Sequence, residues 1–339
     1  MADVRLLAYF ADLGASDAQL AGLDDDNLIG VAGDLQLAAG LDLTVDDLAH
    51  EASCSLDEVR SIYERLGLHA DELAGFGAGD MTLVSLITGD TSGIIDEIGS
   101  QTLRVMGTSL SRLAEAAVAA YIQDVETQDV RDPVELANQN AFAASLAMAV
   151  GDSLSTVFRH HMWTAVRRQR AAQLHVTARE ILRLAVGFVD LVGFTSRAGA
   201  VAPADLIATI EDFERRAFEI PTRHGGRIVK GIGDEVMIAA PEAFMVAAIA
   251  LELIESTGDD PSIAPRGGVS AGDVVFRLGD YYGPVVNLAS RLATEAVPGE
   301  VLTDKPSLAG PGLNVQAAGR RSLKGFAEPV AVWAIEPVR

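Results

Sequence analysis

A single cysteine, Cys54, occurs in 339 residues. That excludes a disulfide scaffold and a thiolate zinc cluster, and it points to a reducing compartment. Basic residues are scarce as well: 26 Lys and Arg stand against 48 Asp and Glu, for a net charge of −22. The deficit argues against nucleic acid or an anionic membrane as the main partner, because both attract cationic surface. Long apolar runs are missing. Residues 141–151 and 243–251 are the best candidates, and both fall short of the roughly 18 residues that suggest a bilayer crossing. The opening stretch MADVRLLAYFADLG carries Asp3 and Asp12 and lacks a basic region and a cleavage site. No secretory leader and no membrane span are therefore expected, and the chain reads as cytoplasmic. Disorder is excluded in turn by a hydrophobic content of 49%, too much apolar surface for a chain that stays unfolded.

Charge divides what remains. Residues 1–160 hold 27 of the acids but only 7 of the bases, all Arg, a net of −20 against −2 for the rest. Arg159, His160, His161, Arg167, Arg168, Arg170, Arg179 and Arg183 form a basic stretch at the join. The length suits two domains. We expect a helical domain at 1–158, a linker helix at 159–180 and a second domain at 181–339.

The first part reads as helical throughout. Thr44 with Asp47 and Ser55 with Glu58 are capping-box patterns, and Pro133 after Asp132 opens a helix. From Val134 to Ala178 there is no proline and one glycine, Gly151, so one long helix or two in line are expected there. The second part alternates. Strands are expected at 181–189, 227–230 and 235–240, with a hairpin turn at 231–234, and helices at 203–224 and 243–255. A strand at 266–278 reads as broken at Gly272-Asp273. A helix follows at 283–296, with late strands at 301–302, 314–318 and 330–335. The β-α-β-β-α-β order is that of a ferredoxin-like core with an appended strand–helix–strand tail, an α+β fold class.

Three segments carry chemistry. In Phe188-Val-Asp-Leu-Val-Gly-Phe-Thr195, Asp190 ends a strand and Gly193-Phe194-Thr195 opens a helix. Helix-start N–H groups attract phosphate, and a carboxylate beside them can hold Mg²⁺. Lys230-Gly-Ile-Gly-Asp-Glu235 sets a Lys and Asp234 on one tight turn, either as a salt bridge or with Asp234 as a second metal ligand. In Gly279-Asp-Tyr-Tyr-Gly-Pro-Val-Val-Asn-Leu-Ala-Ser-Arg291, Asn287 and Arg291 share one helix face. Side by side they suit an oxygen-rich, negatively charged transition state.

Together the three segments resemble the class III nucleotidyl cyclase catalytic domain over residues 181–335, and Lys324-Gly325 fits that family's late phosphate-contacting lysine. The acidic helical part resembles the regulatory domain of mycobacterial adenylyl cyclases. The resemblance implies that Asp190 and Asp234, with the carbonyl of Leu191, bind two Mg²⁺ or Mn²⁺ ions. It implies that Arg291 stabilises the α-phosphoryl charge, that Asn287 positions the ribose, and that Lys324, Phe194 and Thr195 hold phosphates. Lys230 only donates and ionised Asp280 only accepts, a pair complementary to adenine N1 and N6. ATP is then the substrate and 3′,5′-cyclic AMP the product, made by a head-to-tail homodimer. The signal read by residues 1–158 stays open among pH, a lipid or acyl chain, and a protein partner. His160 and His161 are candidates for a pH switch.

Two other function classes compete. Residues 43–67 resemble the helix-turn-helix of MerR-like regulators, but residues 44–67 hold six acids and two bases, a surface that phosphate repels. A catalytically inactive nucleotide sensor would lack a metal Asp or the Arg, and both are present. Cys54, Trp163 and Trp333 read as packing residues.

Overall fold

The computed structural model describes residues 3–16, 20–21, 25–89, 95–124, 132–173, 181–192, 203–257, 264–308 and 310–338. The chain divides into two compact units, Met1–Trp163 and Thr164–Arg339.

The described part of the first unit is built from helices: α1 (Val4–Asp12), α2 (Asp25–Leu37), α3 (Val45–Glu51), α4 (Leu56–Leu66), a 3-10 turn (Ala70–Glu72), α5 (Ala78–Thr88), α6 (Ile95–Asp124) and the start of α7 (Pro133–Gln173). The caps written in the sequence form. At α4 the Glu58 N–H donates to Ser55 Oγ at 3.2 Å, and the Ser55 N–H donates back to Glu58 Oε2 at 2.8 Å. Thr44 and Asp47 make the same exchange at α3. Helical spacing then sorts the apolar residues. Val59, Ile62 and Tyr63 join Leu48, Phe76, Val84 and Leu103 in one core, with Cys54 half-buried against it. Leu6, Phe10, Leu28, Ala32 and Ala137 make a second core. Gly107 allows α6 to lie on the end of α4, since a Cβ there would come 2.1 Å from the Leu66 carbonyl oxygen.

The expected long helix is one continuous element, α7, of 41 residues. Asp132 starts it by accepting the Val134 N–H at 2.9 Å. Its stretch Pro133–Arg168 is long and apolar enough to cross a membrane by length and composition, with a mean hydropathy of 1.4 and none of the window buried. Ala, Leu, Met, Val and Phe raise this mean, while Ser145, Gly151, Asp152, Ser153 and Ser155 interrupt the apolar run. An exposed apolar helix is equally what an uncovered protein interface presents. Trp163, read as a packing residue, is 64% exposed on this helix.

The second unit is a sheet with helices on both faces. Its strands are β1 (Ile181–Val192), β2 (Arg227–Ile232), β3 (Glu235–Ala240), β4 (Ala264–Arg277), β5 (Asp280–Tyr282), β6 (Val301–Thr303), β7 (Leu313–Arg321) and β8 (Val330–Pro337). They run in the order β2-β3-β1-β4-β6-β8-β7, with β5 paired to β4. Helices α8 (Pro203–Arg223) and α9 (Ala243–Ser256) cover one face, and α10 (Pro284–Glu295) covers the other. The first four strands have the ferredoxin-like order 2-3-1-4, all antiparallel. Two details differ from the sequence reading. β4 runs unbroken through Gly272-Asp273, because Gly272 takes a φ of +158° while the register with β1 continues on both sides. β5 was not foreseen, being three residues long. The three late strands expected after α10 form as β6, β7 and β8, with β6 joining parallel to β4 and β8 then β7 extending the edge.

Gly268 sets the seat of α10. A Cβ there would stand 2.2 Å from the Ala293 nitrogen and 2.3 Å from the Ala289 oxygen, both backbone atoms of the helix. Gly268→Ala must therefore push α10 off the sheet. We expect a loss of about 1–3 kcal/mol of stability, the usual cost of overpacking, read as a lower melting temperature by circular dichroism. An unchanged melting temperature would mean that the helix seat tolerates a methyl group.

Candidate active site

β1 sorts its side chains by parity. Leu182, Leu184, Val186 and Phe188 enter the core on the α10 side, and Ala185, Val189 and Leu191 enter the core under α8 and α9. Asp190 continues the first set. The ladders on either side of β1 then fix its neighbours: Glu235 on β3 and Arg266 on β4 stand opposite Asp190. The β2–β3 hairpin closes in two residues, Gly233-Asp234, and Gly233 takes the positive φ of +64° that such a loop needs. The Leu191 N–H donates to the Asp234 carbonyl at 3.2 Å. The end of β1 is thus bonded to the hairpin turn, and Asp190 and Asp234 share one corner of the sheet.

Arg266 ties this corner to α10. Its Nη2 and Nε donate to Asp190 Oδ2 at 3.0 and 3.2 Å. Its Nη1 donates to the carbonyl of Thr294 and, at 3.2 Å, to that of Ala296. Glu235 lies in the same corner. Burial, then the charges of Asp190 and Asp234, push its carboxyl up to about 7, while Arg266 and Arg291 oppose the rise.

A second pair forms between β2 and β5. Lys230 Nζ donates to Asp280 Oδ2 at 2.5 Å, and Asp280 Oδ1 accepts the Tyr281 N–H at 2.8 Å. The expected partners therefore meet across 50 residues of sequence. Asn287 is exposed and Arg291 half-buried, one turn apart on α10. Leu191 has a buried aliphatic side chain with no ligating atom, so its backbone carbonyl oxygen is the only group it offers a cation. Lys324 sits exposed in the turn after β7, and no described contact links it to the other candidates. Phe194 and Thr195 lie outside the described residues. His160 and His161 are exposed on α7.

Two residues escaped the sequence reading. Arg266 pairs with a residue 76 positions away, and only the β1–β4 register makes them neighbours. Glu235 was visible beside Asp234, yet nothing in its spacing predicted that it would face Asp190.

The corner's fitness for a cation can be judged from its donors. Among the described residues, no group of three or more His, Cys, Asp or Glu side chains is placed to hold a metal. Two carboxylates and a backbone carbonyl form a smaller, all-oxygen set. Such donors suit Mg²⁺ or Mn²⁺, which keep waters and substrate oxygens as further ligands. The donor chemistry of Asp190, Asp234 and the Leu191 carbonyl therefore fits a divalent cation.

Residues 176–336 match the adenylate and guanylate cyclase catalytic domain. A protein of Mycobacterium tuberculosis whose name assigns it no activity is 28% identical over 347 residues, 97% of this chain and 89% of its own. An adenylate cyclase of Glutamicibacter nicotianae is 30% identical over 277 residues, 76% of this chain and 69% of its own. A pH-sensitive adenylate cyclase of Mycobacterium tuberculosis is 29% identical over 250 residues, 69% of this chain and 62% of its own.

Glu235 generates a stability prediction for protein freed of divalent cations with a chelator. Its carboxyl titrates near 7 when folded, against an ordinary value of 4.5. The folded state then holds the extra proton between those values, so stability falls as pH rises through that window. Urea unfolding at about pH 5 and about pH 8 should show this fall, and Glu235→Gln should flatten it. An equal fall in the variant would remove Glu235 as its source.

Proposed function

Because the chain belongs to the class III adenylate and guanylate cyclase family, we propose that it is an adenylate cyclase that converts ATP to 3′,5′-cyclic AMP and pyrophosphate. The site is shared by two copies of the chain and controlled by residues 1–158. The observation that carries this reading is the Lys230–Asp280 pair, 2.5 Å apart. It presents a donor beside an acceptor, the complement of adenine N1 and its N6 amino group.

Asp190, Asp234 and the Leu191 carbonyl would hold two Mg²⁺ or Mn²⁺ ions, which when bound supply charge neutralisation of the triphosphate and a more acidic ribose 3′-hydroxyl. Arg266 keeps Asp190 turned toward the α10 side of the sheet. Arg291 donates to the α-phosphoryl oxygens as negative charge grows on them. Asn287 orients the ribose, so that its 3′-oxygen approaches the α-phosphorus opposite the departing pyrophosphate. Lys324, together with Phe194 and Thr195, holds the terminal phosphates.

The shared site is supported by exposure. Asn287 faces solvent and Lys230 is 38% exposed, as residues serving a neighbouring copy must be. Val118 and Ile122 of α6, and Phe142, Leu146 and Phe158 of α7, are exposed as well, surface that a second copy would cover. Control would pass along α7, which begins in the first unit and carries His160 and His161 just before the boundary at Trp163. Protonation of this pair adds charge to a helix that already holds Arg159 and Arg167. The similarity to a pH-sensitive adenylate cyclase supports pH as the signal.

Subunit mixing tests the roles. Asp190→Ala and Arg291→Ala proteins should each be nearly inactive with ATP and Mn²⁺. In a mixed dimer one site carries both lesions and the other is intact, so mixing should restore about a quarter of wild-type activity by two-fold symmetry and random pairing. Demonstrated subunit exchange without returning activity would place the whole site in one chain.

Control is tested by pH. The full chain should change activity steeply between about pH 6 and 8, where His titrates, and the double variant His160→Ala, His161→Ala should flatten the profile. A wild-type profile in the double variant would exclude the pair as the switch.

A further inference from the structure

A cavity of about 520 Å³ lies within the second unit, beside the Lys230–Asp280 pair, since its wall Tyr281 donates its N–H to Asp280 Oδ1. Its apolar walls include Leu182 and Leu184 at the start of β1, with Phe276 and Tyr281. Leu184 comes six residues before Asp190, about 20 Å along the strand at 3.3 Å per residue. Lys230 and Asp280 are not among its walls.

Cations surround this apolar space. Arg168 reaches it from the last turns of α7, Arg183 from β1 and Arg227 from the start of β2. The Arg227 guanidinium lies over the Tyr281 ring, 5.0 Å from its centre. Among the described residues, none of these three arginines makes an ion pair with a carboxylate; Glu242 also lines the cavity but pairs with none of them. Partial desolvation against the cavity wall, then the nearby charge of Arg227, hold Arg168 below the usual arginine range, and the Tyr281 hydroxyl only partly offsets them. Two guanidiniums therefore repel one another beside an apolar wall, in a chain whose acids outnumber its bases 48 to 26. An incoming anion would relieve that repulsion and accept charge-assisted hydrogen bonds. An apolar body on the same ligand would bury against the aromatic and aliphatic walls.

We propose that this cavity binds an organic anion with an apolar body, its charged group held by Arg168 and Arg227. Arg168 is exposed, which gives such a ligand a way in from solvent. Because α7 supplies one wall and β1 another, the occupant would join the helix that precedes the sheet to the strand that carries Asp190.

Equilibrium dialysis on the full chain tests this with 2-naphthoate, its uncharged analogue 2-naphthylmethanol, and inorganic phosphate. Naphthoate should bind saturably at one site per chain, at least about tenfold more tightly than either of the other two, one charge-assisted contact being worth roughly that factor. The double variant Arg168→Gln, Arg227→Gln should lose about tenfold or more in naphthoate affinity. Arg227→Lys should retain most of the binding, and Arg320→Gln, on the distant β7, should bind as the wild type does. Equal binding of naphthylmethanol would overturn the anion requirement, and equal binding of phosphate would overturn the apolar one. Both comparisons use the wild-type chain and hold even where the double variant fails to fold. Unchanged naphthoate affinity in a folded double variant would overturn the site itself.

Discussion

The antiparallel ladder on each side of β1 holds the corner around Asp190 together. It places Asp190 between Glu235 and Arg266. A slip of one residue would send Asp190 into the apolar core beneath α8 and α9 and turn Leu191 outward. That alternative is costly on both faces, because β1 is buried on both: Val186 and Val189, on opposite sides, are each 0% exposed. The hydrophobic pattern thus enforces the position of a charged group that gains nothing from burial itself.

Arg266 converts this register into a link between sheet and helix. One edge of its guanidinium holds Asp190, and the other donates to carbonyls at the C-terminal end of α10, where the helix dipole favours a cation. The side chain is 21% exposed, as is that of Asp190, so the pair is partly shielded from water and its geometry is worth more than that of a surface ion pair. Asn287 and Arg291 ride on the same helix, whose close approach to β4 depends on Gly268. Movement of α10 is therefore felt at Asp190.

The first unit is held differently. Two modest cores and a series of local caps stabilise its helices, and much apolar side-chain area on α6 and α7 stays uncovered. A unit with separate small cores and an uncovered long helix can respond to a ligand or a second chain at modest cost, since few contacts must be broken together.

Local chemistry made much of this protein legible from its sequence. The capping boxes at Thr44 and Ser55, the long helix after Asp132 and the order of the first strands all follow from interactions within a few residues, or from apolar periodicity. The segments around Asp190, Lys230-Asp234 and Asn287-Arg291 could be picked out because their residues lie close in the chain. Tertiary structure alone decided the rest. The pairing of Asp190 with Arg266 spans 76 residues and that of Lys230 with Asp280 spans 50, and no spacing rule reaches so far. β5 was too short for a period to show, and Gly272 reads as a break until its neighbours' pairing reveals a strand passing through. The shift of Glu235 and the meeting of Arg168 with Arg227 depend on burial and through-space charge, quantities that exist only once the sheet has brought distant residues together.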